Sequence, residues 1–163
     1  MGPEPWLTGD AQAIAAQLIG SYRNGFGQPL VTGLPGDASR EQWAQALFAA
    51  PIVVLAHDGS PLDRGDGPRL IYANRAALTL WGRPWAEMVG MPSQLTAEPT
   101  ERASRQSALT AAQQQTSIRG YRGIRINRHG RRFQINNARL WTLVHPTGLA
   151  CGQAACFSSW WWL

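Results

Sequence analysis

Apolar positions recur at helical spacing in the first part of the chain and alternate with a period of two in its last third. Across Thr8–Tyr22, Ala11, Ile14, Ala15, Leu18, Ile19 and Tyr22 fall on one side of a helix that Thr8 or Asp10 would cap. That stripe needs cover, either from the rest of the chain or from a second copy. Gly25–Gly36, rich in Gly and Pro, reads as a connector. Ser39 then opens a second helix, with Gln42 completing a capping box and Trp43, Ala46, Leu47 and Ala50 as its stripe. Pro51 ends it. Ile52–Ala56 is an unbroken apolar, β-branched run, the mark of a strand buried on both faces. His57–Pro68 is a loop longer than a minimal hairpin.

Arg69–Gly82 is the most directional stretch. Leu70–Tyr72 predicts a strand and Asn74 a helix cap, whose side-chain oxygen accepts an orphan amide hydrogen. Ala77, Leu78 and Trp81 form the helical stripe, and Gly82 supplies a left-handed stop. This offset makes Asn74 a cap rather than a site residue. Pro84–Val89 predicts one short helix, and Thr100 caps a longer one, Glu101–Thr116. The weak apolar face of that helix (Ala103, Ser107, Ala111) places it on the surface.

From Ile118 the period becomes two, with Ile124 and Ile126 alternating with Arg125 and Asn127. After a turn at Asn127–Gly130, Phe133, Ile135, Trp141 and Leu143 share one parity of a second strand. Arg132, Gln134 and Asn136 take the other. A turn at His145–Gly148 leads to a last strand, Cys151–Trp160. Three antiparallel strands joined by tight turns make a meander. The consecutive Trp160, Trp161 and Trp162 cannot all face one side of it, so at least one points away from the core. The Thr8–Tyr22 helix is the expected cover for the outer sheet face.

Two strands, several short helices and three strands make an α+β chain in the order of a PAS fold. That is a five-stranded antiparallel sheet with short helices on one face, here with an N-terminal helical extension. Several blocks in order narrow the likeness: Ala50–His57, Tyr72–Leu78, Pro92-Ser93 with Ala97-Glu98-Pro99, Gly130–Phe133 and Gly152–Ala155. Together they resemble the MEKHLA family, which is PAS-like. The family occurs as small stand-alone bacterial proteins and at the C-terminus of plant class III homeodomain–leucine zipper proteins. The likeness covers about Ser39 to the end, so the expected division is an extension and connector over 1–38 and a PAS-like domain over 39–163. It carries over no catalytic residues.

Composition sharpens the picture in one respect. All 15 basic residues are Arg. The 10 acids all lie at or before Glu101 beside six of the arginines, a balance of −4, and the remaining nine arginines follow with no acid, giving +9 and the overall +5. Such asymmetry points to an anionic partner or to contact between the halves. Arg119, Arg122, Arg125, Arg128, Arg131 and Arg132, interleaved with Tyr121 and Phe133, form the candidate anionic-partner surface. Arginines and aromatics on a sheet suit single-stranded nucleic acid, although Arg125 opposes the parity of Ile124 and Ile126 and so reads as part of a solvated face. Cys151 and Cys156, an odd number of residues apart on one strand, are expected on opposite faces and unbonded, which fits a reducing, cytoplasmic setting. No apolar run reaches the length of a membrane span, and no secretory signal is visible.

No metal-ligand spacing appears among His57, His129, His145, the cysteines and the acids, and neither a metal nor haem is expected. His57 ends the buried strand and is the histidine nearest any pocket. A covalently held flavin is not expected either. The Asn-Cys-Arg-Phe-Leu-Gln signature of the light sensors is missing, and Gly90–Pro99 contains no Cys. Neither paired carboxylates in a cleft nor a nucleophile with its base is evident, so catalysis is not expected. The reading is a sensory or interaction module with a cavity between helices and sheet. Its expected lining is Tyr72, Trp81, Phe133, Ile135, Trp141 and Gln153, and its occupant a small apolar or aromatic ligand. The ligand or a protein partner would shift the N-terminal helix and a homodimer formed through it or through the outer sheet face. The alternative is a nucleic-acid-binding accessory protein using residues 119–132.

Overall fold

The computed structural model describes residues 2–163 and follows the expected order with one strand more. Helix α1 (Gly9–Phe26) begins at Thr8, whose hydroxyl accepts from the Ala11 amide at 3.2 Å, and stops at Gly27 in the left-handed conformation. Helix α2 (Arg40–Ala49) carries both halves of the Ser39/Gln42 capping box. Strands β1 (Val53–Asp58) and β2 (Leu70–Ala73) pair antiparallel and lead into α3 (Arg75–Trp81), which Asn74 caps and Gly82 ends at φ 70°. Then come α4 (Trp85–Met88), α5 (Arg102–Gln115), β3 (Ser117–Ile126), β4 (Arg132–Val144), β5 (Ala150–Phe157) and β6 (Ser159–Trp162). The expected Thr100 cap is not made; a tight turn over Pro99–Glu101 precedes α5 instead.

The strands form one sheet in the order β2-β1-β5-β4-β3, with β6 also paired to β4. Where a single last strand was expected, the chain breaks after Phe157 and resumes at Ser159. The register nevertheless runs on, Arg139 opposite Cys156 and Asn136 opposite Ser159. The cause lies in the facing strand. Asn137 sits at φ 52°, a conformation Asn tolerates better than most residues, and it turns the pleat over.

That reversal corrects the strand parity. Phe133 and Ile135 face the side of α3, and beyond Asn137 Ala138 joins them while Leu140 meets Leu109 of α5. Trp141 and Leu143 turn to the opposite side, against Leu18, Tyr22 and Phe26 of α1. In β3, Gly120 at φ 74° does the same, so that Ile118 and Tyr121 both pack toward α5.

Both sheet faces are therefore covered, one by α3 and α5, the other by α1 and α2. The apolar stripe of α1 is buried on its own sheet rather than left for a second copy. Tyr22 and Phe26 meet the Trp141 ring edge-on at 5.0 and 5.9 Å. Arg139 donates to the Tyr22 hydroxyl, and Ser21 Oγ accepts from the Val144 amide at 3.2 Å. Helix α5 buries not Ala103, Ser107 and Ala111 but Arg105, Leu109 and Ala112. An arginine in the inward stripe hid the amphipathicity. The two cysteines are free, and both pack toward the α1 face rather than on opposite sides. Gly152, at φ 154°, interrupts the alternation between them, and a Cβ there would strike the His57 carbonyl oxygen. Trp161 is the outward tryptophan, 44% exposed.

Candidate functional site

Between the sheet and helices α3 and α5 lies a cavity of about 60 Å³, room for about four to six water molecules. Leu55 and Leu70 from the first two strands, Trp81 from α3, Ile135 and Leu140 from β4, and Phe157 from β5 supply its apolar wall. A polar pole is built by Arg105 of α5, Arg125 and Tyr121 of β3, His57 of β1, Gln153 of β5, and Ser93 in the short turn before α5. Register explains the meeting of β1 and β5: His57 lies directly opposite Gln153. Gly123 leaves the space in which Tyr121 and Arg125 pack, since a Cβ there would run into both side chains.

The polar pole is under-satisfied. Gln153 Nε2 donates to the Leu109 carbonyl at 2.8 Å. An amide oxygen could not make that bond, so the orientation of the side chain is fixed and Oε1 is left buried without a partner. His57 Nδ1 lies 3.1 Å from the Asp58 carbonyl and must carry the proton there, which makes the buried, unpartnered Nε2 an acceptor. Trp81 Nε1 is a buried donor, also unpartnered. Buried polar atoms are nearly always hydrogen-bonded in folded proteins. Three such exceptions lie around this cavity; Tyr72 Oη, Trp141 Nε1 and Thr142 Oγ1 are also unpartnered among the described residues, outside its lining.

Two of the lining groups are cations. Arg105 and Arg125 are each 8% exposed. Arg105 Nη2 donates to Ser93 Oγ at 2.7 Å. Arg125 Nη1 donates to the Ile124 carbonyl at 3.0 Å and Nη2 to the Tyr121 hydroxyl at 3.0 Å. Neither guanidinium forms an ion pair among the described residues. Burial, and then the charge of Arg125, bring the Arg105 pKa down to about 10. Burial, and then the charge of Arg105, lower that of His57 to about 4, so its ring is neutral near pH 7.

Of the residues expected to line a pocket, Trp81, Ile135 and Gln153 do so. Phe133 lies on the same face but packs with Trp81 and Trp160 at ring distances of 5.2 and 5.9 Å, outside the cavity lining. Tyr72 and Trp141 belong to the opposite face, in the cluster beneath α1. For Trp141 the reason is the reversal at Asn137. Tyr72 instead meets Trp85 edge-on at 5.5 Å. Arg105, Ser93 and Tyr121 line the cavity without any periodic pattern pointing them there, and Arg125, expected on a solvated face, is inside. A glycine pair flanking Tyr121, at positions 120 and 123, was the available signal that the alternation of β3 is broken there.

The arginine run does not form one surface. Arg125 is inside. Arg128 pairs with Glu87 at 3.1 Å and Arg132 with Glu98 at 2.6 Å, contacts between the acidic and basic halves. Arg131 covers the Trp162 ring at 4.1 Å, and Arg119 the Phe26 ring at 5.0 Å. Arg122 is exposed. Among the described residues no group of His, Cys, Asp and Glu could hold a metal, and no helix is long and apolar enough to cross a membrane.

The architecture defines a PAS-class domain. It superposes on the PAS domain of a protein from Colwellia psychrerythraea with TM-score 0.58 at 16% identity, over 71% of this chain and 92% of that one. An RNA-binding light-oxygen-voltage receptor gives TM-score 0.58 at 20% identity over 79% of this chain, which spans 35% of the receptor. A light-oxygen-voltage domain studied with a flavin analogue gives 0.55 at 15% identity, over 74% and 83%. No curated protein matches the sequence. The MEKHLA domain profile matches residues 12–162, and the chain belongs to that family. The matched range takes in most of α1, the helix that shares its core with the sheet.

Proposed function

We propose that this protein is a non-enzymatic sensory module whose cavity holds a small molecule and whose sheet passes the occupied state to α1. The observation that carries the reading is the cavity with three buried polar atoms unpartnered: His57 Nε2, Gln153 Oε1 and Trp81 Nε1. Such atoms cost about 1–3 kcal/mol each when left without hydrogen bonds, a cost a ligand would remove.

The route outward is short. Ile135, Ala138 and Leu140 of β4 and Ala155 of β5 line the cavity, while Trp141, Leu143 and Cys156 on the same strands lie under α1. A ligand that prefers one arrangement of these strands biases the seating of α1 by its differential affinity. The change would then be read by a partner at that helix.

The test is native mass spectrometry of the purified protein, followed by hydrogen exchange with and without any species found. The reading expects a retained small molecule and altered protection across Gly9–Phe26. A protein that retains nothing, and whose α1 exchange is indifferent to every ligand that raises its melting temperature, refutes it.

A further inference from the structure

Resting on the reading of the cavity as a ligand site, we propose that its occupant is a small organic carboxylate that also carries a hydrogen-bond donor, its carboxylate on Arg105 and Arg125 and its donor toward His57 and Gln153.

Each part of the ligand follows from a lining group. Two buried guanidiniums share the cavity with no acid paired to either. A buried charge left unpaired weakens the fold that keeps it. Helix α5 could have presented Leu or Met at position 105 and closed the core. A planar guanidinium matches a carboxylate by paired hydrogen bonds. Arg105 has one protein acceptor, Ser93 Oγ, among the described residues, which leaves most of its fork open. At the other side, His57 Nε2 and Gln153 Oε1 are acceptors held in place by the Asp58 and Leu109 carbonyls. They call for an O–H or N–H on the ligand. The remaining wall, Leu55, Leu70, Ile135, Leu140 and Phe157, is apolar and would gain nothing from a bare inorganic anion.

The probes are lactate, propionate, lactamide and inorganic phosphate, chosen for a cavity of about 60 Å³ and read by isothermal titration and by melting temperature. The acid should bind roughly ten- to a hundredfold more tightly than its amide, the ratio for a charge-assisted hydrogen bond. It should also bind more tightly than propionate, which lacks the donor, and phosphate should not bind. Arg105→Met should erase the preference for acid over amide without lowering the melting temperature of the free protein, because it removes an uncompensated cation. Arg125→Met provides the same comparison should the first variant misfold.

Equal binding of acid and amide would overturn the carboxylate assignment while leaving the cavity a ligand site, as would a neutral or cationic species retained in the native mass spectrum. Phosphate binding as tightly as lactate would reduce the site to a general anion hole and refute the organic acid. No binding by any probe, with nothing retained in the mass spectrum, overturns this inference and the ligand reading together.

Discussion

Three elements converge on Asn74, and replacing it by Ala tests how the first half of the domain is held. The side chain is 0% exposed. Its Oδ1 accepts from the Ala77 amide at 3.2 Å, capping α3, and from the Val54 amide of β1 at 3.0 Å. Its Nδ2 donates to the Ile52 carbonyl at 2.7 Å and lies 3.3 and 3.4 Å from the Leu47 and Ala50 carbonyls at the end of α2. Losing the cap costs about 1 kcal/mol. Leaving the Val54 amide and Ile52 carbonyl short of a partner in a dry interior adds about 1–3 kcal/mol each. With partial relaxation, Asn74→Ala should cost about 3–5 kcal/mol in all. Urea unfolding followed by tryptophan fluorescence should show a lower midpoint with an unchanged slope.

Asn74→Asp separates the two halves of the interaction. It keeps both acceptor roles but places a buried carboxylate against the Ile52 carbonyl, which raises its pKa in the folded state. Above the unfolded carboxyl value of about 3.9 the folded protein then binds more protons than the unfolded chain, so stability falls as pH rises. Relative to the parent, the Asp variant should be weaker at about pH 7 than at about pH 4. A loss below about 1 kcal/mol for Asn74→Ala, or no pH dependence in the difference for Asn74→Asp, would refute the three-way junction.

Two further outcomes follow from the cavity and its neighbouring strands. Because burial depresses the His57 pKa from 6.5 to about 4, the unfolded chain binds the extra proton between those values. Stability present above pH 6.5 should therefore be lost by about 3 kcal/mol as pH falls to about 4, and His57→Leu should flatten that part of the curve. Gly152→Ala forces a methyl group against the His57 carbonyl oxygen and should cost about 2 kcal/mol or more by overpacking. Differential scanning calorimetry should show a fall of about 4–8 °C; an unchanged melting temperature would mean that β1 and β5 are not so closely apposed.

The sequence declared its local signals well and its inward-facing polar residues poorly. Asn74, Gly82 and the Ser39/Gln42 box act where they stand, through bonds to backbone a few residues away, so their spacing alone reveals them. The MEKHLA blocks and the meander likewise fixed the α+β class. The cavity was less legible, because it is made by reversals of strand parity. Nothing in alternating apolar residues announces that Asn137 takes a positive φ, and that one torsion moves Trp141 from the expected pocket to the α1 side. Arg105 and Arg125 were hidden for a different reason. An arginine in a pattern reads as solvent-facing by default, and two buried ones become visible only when helix and strand are brought together. Ser93 and Tyr121 reach the site through long-range packing that no local pattern encodes.

Where β4 and β5 separate the cavity from α1, the partition includes Ala138, Ala154 and Ala155. A lone methyl has no torsion with which to step aside. A wall of long side chains could absorb an oversized guest by changing rotamers. Between the longer side chains of Leu140 and Trp141, this alanine stretch would have to bow instead, so an excess of bulk on one side would be felt on the other as displacement.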